Sequence, residues 1–230
     1  MKQEFPHHHV PSPSAVHFYS LMDQNLPILL VALAIRFADF KEFNITAKSL
    51  ALIDISKWAP VLQLFVFFII LDFVQWFKHV LLHRYGFLWK FHKVHHSVKE
   101  MGFAAHLRYH WMENIFYKPL KTFGVMIIGG FEPEQAYIIH FITIAIGHFN
   151  HSNIKITWGP LKYIFNNPVM HLYHHASVLP EGKHGVNYGI SLSLWDYIFK
   201  TNYIGIPELG IRFSDDFVKN IIRYFKFFIF

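Results

Sequence analysis

The run from Val61 to Phe77, opened by Pro60 and wholly apolar from Leu64 to Leu71, constrains this chain more than any other feature. Proline is suited to the first turn of a helix, because its missing N–H is not needed there. A helix of that length approaches the ~30 Å hydrocarbon core of a bilayer, and it leads straight into His79 and His83. The strongest candidate span therefore ends in metal-ligand chemistry. Composition agrees with a chain partly solvated by lipid: 53% of residues are hydrophobic and only 16% charged, against roughly 25% charged in soluble domains. With 230 residues the chain is long enough for one domain with a sizeable core. Disorder and fibrous folds are excluded. The formal charge of +6 suits an anionic membrane surface at least as well as nucleic acid, and no nucleic-acid partner is expected.

Two further apolar stretches extend the pattern. Leu26 to Phe40 is interrupted by Arg36 and Asp39 and is too short to span upright. Pro119 to Phe149 is long enough for one tilted span or for two short helices turning at Gly129-Gly130-Phe131-Glu132-Pro133-Glu134. If the histidine-rich segments on both sides of it share one site, both ends return to the same face, which favours the hairpin. Lys78, Arg84, Lys90, Lys93, Lys99, Arg108, Lys118, Lys121, Lys155 and Lys162 flank the histidine-rich side, which places it in the cytoplasm, although Lys41, Lys48 and Lys57 fit less well. The expected fold is all-α: a multi-pass integral membrane protein with about four membrane-embedded helices in two hairpins and a cytoplasmic histidine-rich helical cap. Residues 1–20, Pro-rich with a His7-His8-His9 run, read as a flexible extension, residues 21–205 as the membrane-embedded di-metal domain, and residues 206–230 as an interfacial amphipathic helix opening at Ser214-Asp215-Asp216.

The chain has no cysteine, so any metal is held by nitrogen and oxygen. It has 18 histidines, and three clusters stand out: His79-x-x-x-His83, His92-x-x-His95-His96 and His171-x-x-His174-His175. Residues three and four apart share a helix face, so each cluster is expected to aim its imidazoles at a common point. At this histidine frequency roughly 0.1 copies of His-x-x-His-His are expected by chance in the chain, and two are present. Burying eight imidazoles without partners is costly, whereas a metal satisfies one nitrogen of each and an outer acceptor the other. Eight exceed the capacity of one four-coordinate ion, so two ions are implied. Imidazole binds iron, zinc and copper alike, and the clusters alone do not choose among them.

These residues resemble the fatty acid hydroxylase superfamily of membrane di-iron oxygenases, in particular its sterol desaturase-like members, from about Asp72 to Tyr203. Asp72 to His79 followed by His83-Arg84 is similar to the first histidine box, Leu88 to His96 to the second, and Arg108-Tyr109-His110-Trp111-Met112-Glu113 to the segment after it. His151-Ser152-Asn153 resembles the additional histidine, His171 to His175 the last box, and Asn187-Tyr188-Gly189 with Trp195-Asp196 the downstream signature. The departures are Val80, where an arginine often follows the first-box histidine, and His148, an extra histidine before His151. The resemblance implies that His79, His83, His92, His95, His96, His151, His171, His174 and His175 ligate two iron ions, zinc being a substitute in purified protein, with His148 a further candidate. Asp72 is expected to accept from a ligand histidine, the alternative being a helix-packing hydrogen bond; His110 and Glu113 either support the site or form a surface pair, and Asn187 and Asp196 read as structural or outer supports rather than catalytic groups. His106 and His184 read as surface residues.

The implied activity is O2-dependent hydroxylation or desaturation of a C–H bond in a sterol or fatty acyl lipid. Electrons come from an external ferredoxin-like or b-type cytochrome donor, since the chain carries no dinucleotide-binding fingerprint. Two other classes stand beside it: a histidine-rich membrane metal transporter, and a metal-stabilised membrane protein without catalysis.

Overall fold

The computed structural model describes residues 57–98, 101–113, 133–176 and 179–205, together with isolated positions at 49, 51–53, 55, 117 and 129–131. The proposed first apolar stretch, the His7-His8-His9 run and the C-terminal amphipathic helix lie outside the described residues. Among the described residues the structure is helical and contains no strand, only an isolated antiparallel bridge between Phe165 and Leu192.

Helix α1, Pro60–Arg84, is the apolar run continued through the first histidine pair. It has Pro60 in its first turn and lacks a side-chain cap, and it is the one described helix long and apolar enough to cross a membrane. Its buried side chains are Gln63, Phe67, Leu71, Asp72, Trp76, His79, Leu82 and His83, spaced three and four apart so that they form a single stripe. Val61, Leu62, Phe65 and Phe77 project outward and are exposed. The helix buries Asp72 and two histidines beside Phe67, Leu71, Trp76 and Leu82, and it exposes Phe65 and Phe77. The expectation of about four membrane helices reduces, among the described residues, to this one candidate.

Tyr85 ends α1 in an extended conformation and at once serves as the N-cap of α2, Gly86–His96, so the two helices fold against each other across a single residue. A 3-10 turn, Phe103–Leu107, follows. The region read as a hairpin contains helix α3, Pro133–Asn150, preceded by Gly130 at φ 64°. The described turn at Gly130 lies within the Gly/Pro cluster, and the first arm of the expected hairpin lies outside the described residues. Helix α3 and the turn before it pack on the N-terminal half of α1: Phe131 stacks on Phe67 with ring centroids 4.3 Å apart, Ile139 joins the same cluster, and Gln135 donates to Gln63 at 2.9 Å. A 3-10 turn at Gly159–Tyr163, helix α4, Pro168–His174, and helix α5, Leu194–Ile198, complete the described chain. Asn167 caps α4 by accepting from the Met170 N–H at 3.0 Å, with Pro168 following as the first helical residue.

Two carboxylates tie the later segments to α1. Asp196 is buried and accepts from Trp76 Nε1 at 3.0 Å, the Tyr188 N–H at 2.9 Å, the Gly189 N–H at 2.8 Å and Thr201 Oγ1 at 2.6 Å. Position 189 must be glycine, because a Cβ there would lie 2.2 Å from the Leu192 carbonyl oxygen and 2.9 Å from Asp196 Oδ2. Asp72 accepts from Trp195 Nε1 at 3.0 Å and from the Ser191 N–H at 3.3 Å. Hydrogen bonds to a charged acceptor contribute about 1.5–3 kcal/mol each, and a buried donor that loses its acceptor costs more than the bond was worth. Asp196→Asn, which turns an acceptor oxygen into an N–H facing backbone donors, is expected to cost about 2–4 kcal/mol. Thermal unfolding in detergent should show a lowered midpoint, and an unchanged midpoint would refute this role for Asp196.

Candidate metal centre

Nine histidines converge from four segments into two adjoining groups. The first holds His79 and His83 from α1, His92 and His96 from α2, and His174 from α4; the second holds His95 from α2, His151 from just beyond α3, and His171 and His175 from α4 and its cap. Within each group one nitrogen from every ring lies within 4.8 Å of the others, and all the rings are buried except His96, which is partly covered. The groups abut where His96 and His175 stack, ring centroids 4.3 Å apart.

Each cluster was expected to aim at one point, and the two H-x-x-H-H boxes instead divide. His92 and His96 enter the first group while His95 enters the second; in the other box His171 and His175 enter the second group while His174 enters the first. The reason is helical. Residues four apart lie almost on one line along the helix, and the third residue is rotated to the side. A box of this spacing therefore serves two sites flanking its helix, and the two boxes do so in opposite senses.

The far nitrogens of the rings fix their orientation. His79 Nδ1 donates to the Tyr188 carbonyl at 2.7 Å, His95 Nδ1 to the Arg108 carbonyl at 3.1 Å, His151 Nδ1 to the Gly147 carbonyl at 2.7 Å and His174 Nδ1 to the Val186 carbonyl at 2.8 Å. His92 Nδ1 donates to both oxygens of buried Glu113 at 3.2 Å. A carbonyl only accepts, so the proton of His79, His95, His151 and His174 sits on Nδ1 and Nε2 presents a bare lone pair; beside an ionised Glu113 the same holds for His92. Yet His79 Nε2 lies 3.0 Å from His92 Nε2, and His95 Nε2 lies 3.0 Å from His151 Nε2. Two lone pairs cannot hydrogen-bond each other. The conflict is removed by an extra proton or by a cation between the nitrogens. Burial and the crowd of neighbouring imidazoles hold His92, His96, His171 and His175 well below the usual histidine range, and burial brings His174 down to about 4 and His151 to about 3. Protonation is therefore the unfavourable answer. His83, His96 and His174 also carry buried Nε2 atoms without a hydrogen-bond partner. The donor set is all imidazole nitrogen and fits first-row transition metals.

The outer residues take more varied places than the sequence suggested. Glu113 faces His92 directly. Asp72, expected to accept from a ligand histidine, instead holds Trp195 and Ser191, because it lies nearly two helical turns before His79 on a different level of α1. Asn187 adopts φ 51°, a left-handed conformation asparagine tolerates, and its side chain bonds to the Met170 and Tyr203 carbonyls and to the Tyr203 N–H. It thereby fixes the bend between Val186 and Tyr188, whose carbonyls orient His174 and His79. His110 Nδ1 accepts from the Met112 N–H and its ring lies 5.1 Å from that of Phe91, away from the two groups. His148 is in neither group; its ring meets that of His106 at 4.5 Å. His106, read as a surface residue, is buried, its ring 4.8 Å from that of His151. Only the tertiary path of the 3-10 turn brings it there. His184 is exposed, as read.

Residues 64–201 match the fatty acid hydroxylase family, and the chain belongs to it. It is 32% identical over 146 residues to the ornithine lipid hydroxylase of Rhizobium tropici, a match covering 64% of this chain and 43% of that protein. It is 29% identical over 152 residues to the alkylglycerol monooxygenase of Caenorhabditis elegans, covering 64% and 27%, and 28% identical over 167 residues to methylsterol monooxygenase 1-1 of Arabidopsis thaliana, covering 69% and 51%. The chain thus spans about a quarter to a half of these relatives. No solved structure matches it.

Gly147 gives a direct test of the packing behind His151. A Cβ at this position would lie 2.5 Å from His106 Cε1 and Nε2, so the His106 ring occupies the space a side chain would need. Gly147→Ala is expected to destabilise the protein by about 1–3 kcal/mol through overpacking, and His106→Ala in the same chain should restore most of the loss. A double-mutant cycle on thermal unfolding measures this; additive effects would show that the two positions do not share that space.

Proposed function

We propose that this chain is a membrane-embedded di-iron oxygenase that hydroxylates an aliphatic C–H bond of a bilayer lipid. The observation that carries the reading is the opposition of bare Nε2 atoms at 3.0 Å in both histidine groups, with their Nδ1 protons already committed. His79, His83, His92, His96 and His174 would hold one ion, and His95, His151, His171 and His175 the other. Iron is the choice that family membership supports. The chemistry such a pair supplies when bound is reductive activation of O2 against an unactivated C–H bond.

This chain's own residues provide position and exclusion. The Tyr188, Val186, Arg108 and Gly147 carbonyls and Glu113 hold the imidazoles in one tautomer, so the ligands are oriented before a metal arrives. Burial keeps them neutral and keeps bulk water away. No residue is asked to act as a nucleophile. Helix α1 crosses the bilayer and delivers His79 and His83 at its end, so an aliphatic lipid reaches the site laterally from the membrane. The three relatives named above are a lipid hydroxylase and two monooxygenases, which favours oxygen insertion over desaturation. Electrons come from an external ferredoxin-like or b-type cytochrome carrier, and the lysine-rich flanks favour the cytoplasmic side for the site. A metal transporter would set its ion site near mid-bilayer within several spans, whereas His79 and His83 fall in the last two turns of α1.

Expression in a lipid-producing host under 18O2 tests the reading. A lipid that gains one labelled oxygen atom only when the chain is present is the expected product. His151→Ala should abolish it, Glu113→Gln should lower it about 10–100-fold, and His140→Ala, on the exposed face of α3, should leave it unchanged. Unlabelled lipids in every strain, or full turnover by His151→Ala, would overturn the proposal.

A further inference from the structure

The segments that complete the histidine site also carry an apolar surface that no described residue covers. Trp158, Leu161, Tyr163 and Ile164 around the second 3-10 turn, and Ile198 and Phe199 at the end of α5, are each 42–55% exposed. These two stretches form one surface. Ser193 N–H donates to the Ile164 carbonyl at 3.0 Å, Ser193 Oγ to the Lys162 carbonyl at 2.5 Å, and the Tyr163 and Tyr197 rings lie 4.9 Å apart.

The surface is anchored on the C-terminal half of α1. Phe199 stacks on Trp76 with centroids 4.6 Å apart, and Trp195 meets Phe73 at 4.9 Å and Asp72 through its indole N–H. Depth along α1 follows from the helical rise. At ~1.5 Å per residue a ~30 Å hydrocarbon core beginning at Pro60 ends about 20 residues later, near His79. Asp72 and Trp76 then lie roughly 10 and 5 Å inside the core boundary. Helix α5, which packs on those two residues, is held at the depth of about 5–10 Å characteristic of interfacial helices. Charge agrees. Residues 154–176 and 186–205 contain one acid, Asp196, which is buried, while Lys155 and Lys200 are exposed and Lys162 sits 5.3 Å from the Tyr163 ring centre. Tryptophan, tyrosine and lysine are the side chains that favour the headgroup level.

We propose that the surface formed by residues 158–165 and 198–199 is a second, non-spanning membrane contact, seated in the acyl–headgroup boundary of the leaflet on the histidine-rich side with its lysines toward anionic headgroups. It rests on the reading of α1 as a span. The contact fixes the height of the histidine groups relative to the bilayer, because the same segment supplies the Val186 and Tyr188 carbonyls that orient His174 and His79.

The chain contains no cysteine, so a single introduced thiol reports one position. The full chain is reconstituted in vesicles of phosphatidylcholine and phosphatidylglycerol, with a bimane label at Leu161→Cys, Ile198→Cys, Phe65→Cys on the outward face of α1, or Glu181→Cys on an exposed loop. Brominated lipids quench a label that touches acyl chains, and iodide quenches one in water. The expected result is strong bromine quenching at Phe65→Cys, Leu161→Cys and Ile198→Cys, greatest at 161 and 198 for bromines near the headgroup, and iodide quenching at Glu181→Cys alone. Quenching at Phe65→Cys with none at 161 and 198 would overturn the proposal while leaving the span intact, whether iodide reaches those labels or a second copy shields them from both quenchers. Absence of bromine quenching at Phe65→Cys would overturn the span, and this proposal with it.

Discussion

Bare imidazole nitrogens facing each other at 3.0 Å in a buried site, their other nitrogens already donating, form an arrangement that neutral histidines cannot fully satisfy among themselves, even with His171 Nε2 donating to His151 Nε2 at 2.9 Å. Much of the rest of the structure maintains that arrangement. A buried lone pair without a donor costs on the order of 1–3 kcal/mol, and several collected in one place would drive the rings apart unless a cation repaid the desolvation. The backbone carbonyls of Tyr188, Val186, Arg108 and Gly147 come from three separate regions of the chain, and each spends its hydrogen bond on a histidine ring.

The loop after α4 shows how those carbonyls are themselves held. Asn187 locks the bend from one side through Met170 and Tyr203, and Asp196 gathers the Tyr188 and Gly189 N–H groups from the other. Asp196 reaches α1 through Trp76, and Asp72 returns the connection through Trp195. Helix α1 and the site are thus cross-linked by two carboxylate–indole pairs of opposite polarity in the chain: acid on α5 with indole on α1, then indole on α5 with acid on α1. An acid inside an apolar helix is costly enough to need a partner. Asp72 finds one in structure rather than in metal ligation.

Much of this was legible in the sequence because it is local. Helix α1 could be read from its apolar run and Pro60, the bend before α3 from its glycines and prolines, and the convergence of histidines from spacing that composition does not produce by chance. The division of each H-x-x-H-H box between two groups was implicit in the same helical geometry, but a sequence offers no second site toward which the odd ring can turn. His106 was invisible for a different reason. Its neighbours His148, His151 and Gly147 lie some 40 residues away, and nothing in the 3-10 turn that carries it distinguishes a buried ring from a surface one. Asp72 was visible as a costly acid, yet its true partners lie about 120 residues on, beyond the reach of any periodicity.

A two-ion centre fixes the metal stoichiometry of the chain. Chain purified from iron-replete cells and analysed for bound metals against protein quantified by amino-acid analysis should carry two ions per chain, predominantly iron, with zinc replacing it at the same total when iron is scarce. Well-folded protein carrying one ion or none would show that the facing imidazoles are satisfied in another way, and would contradict the two-ion centre on which the functional reading is built.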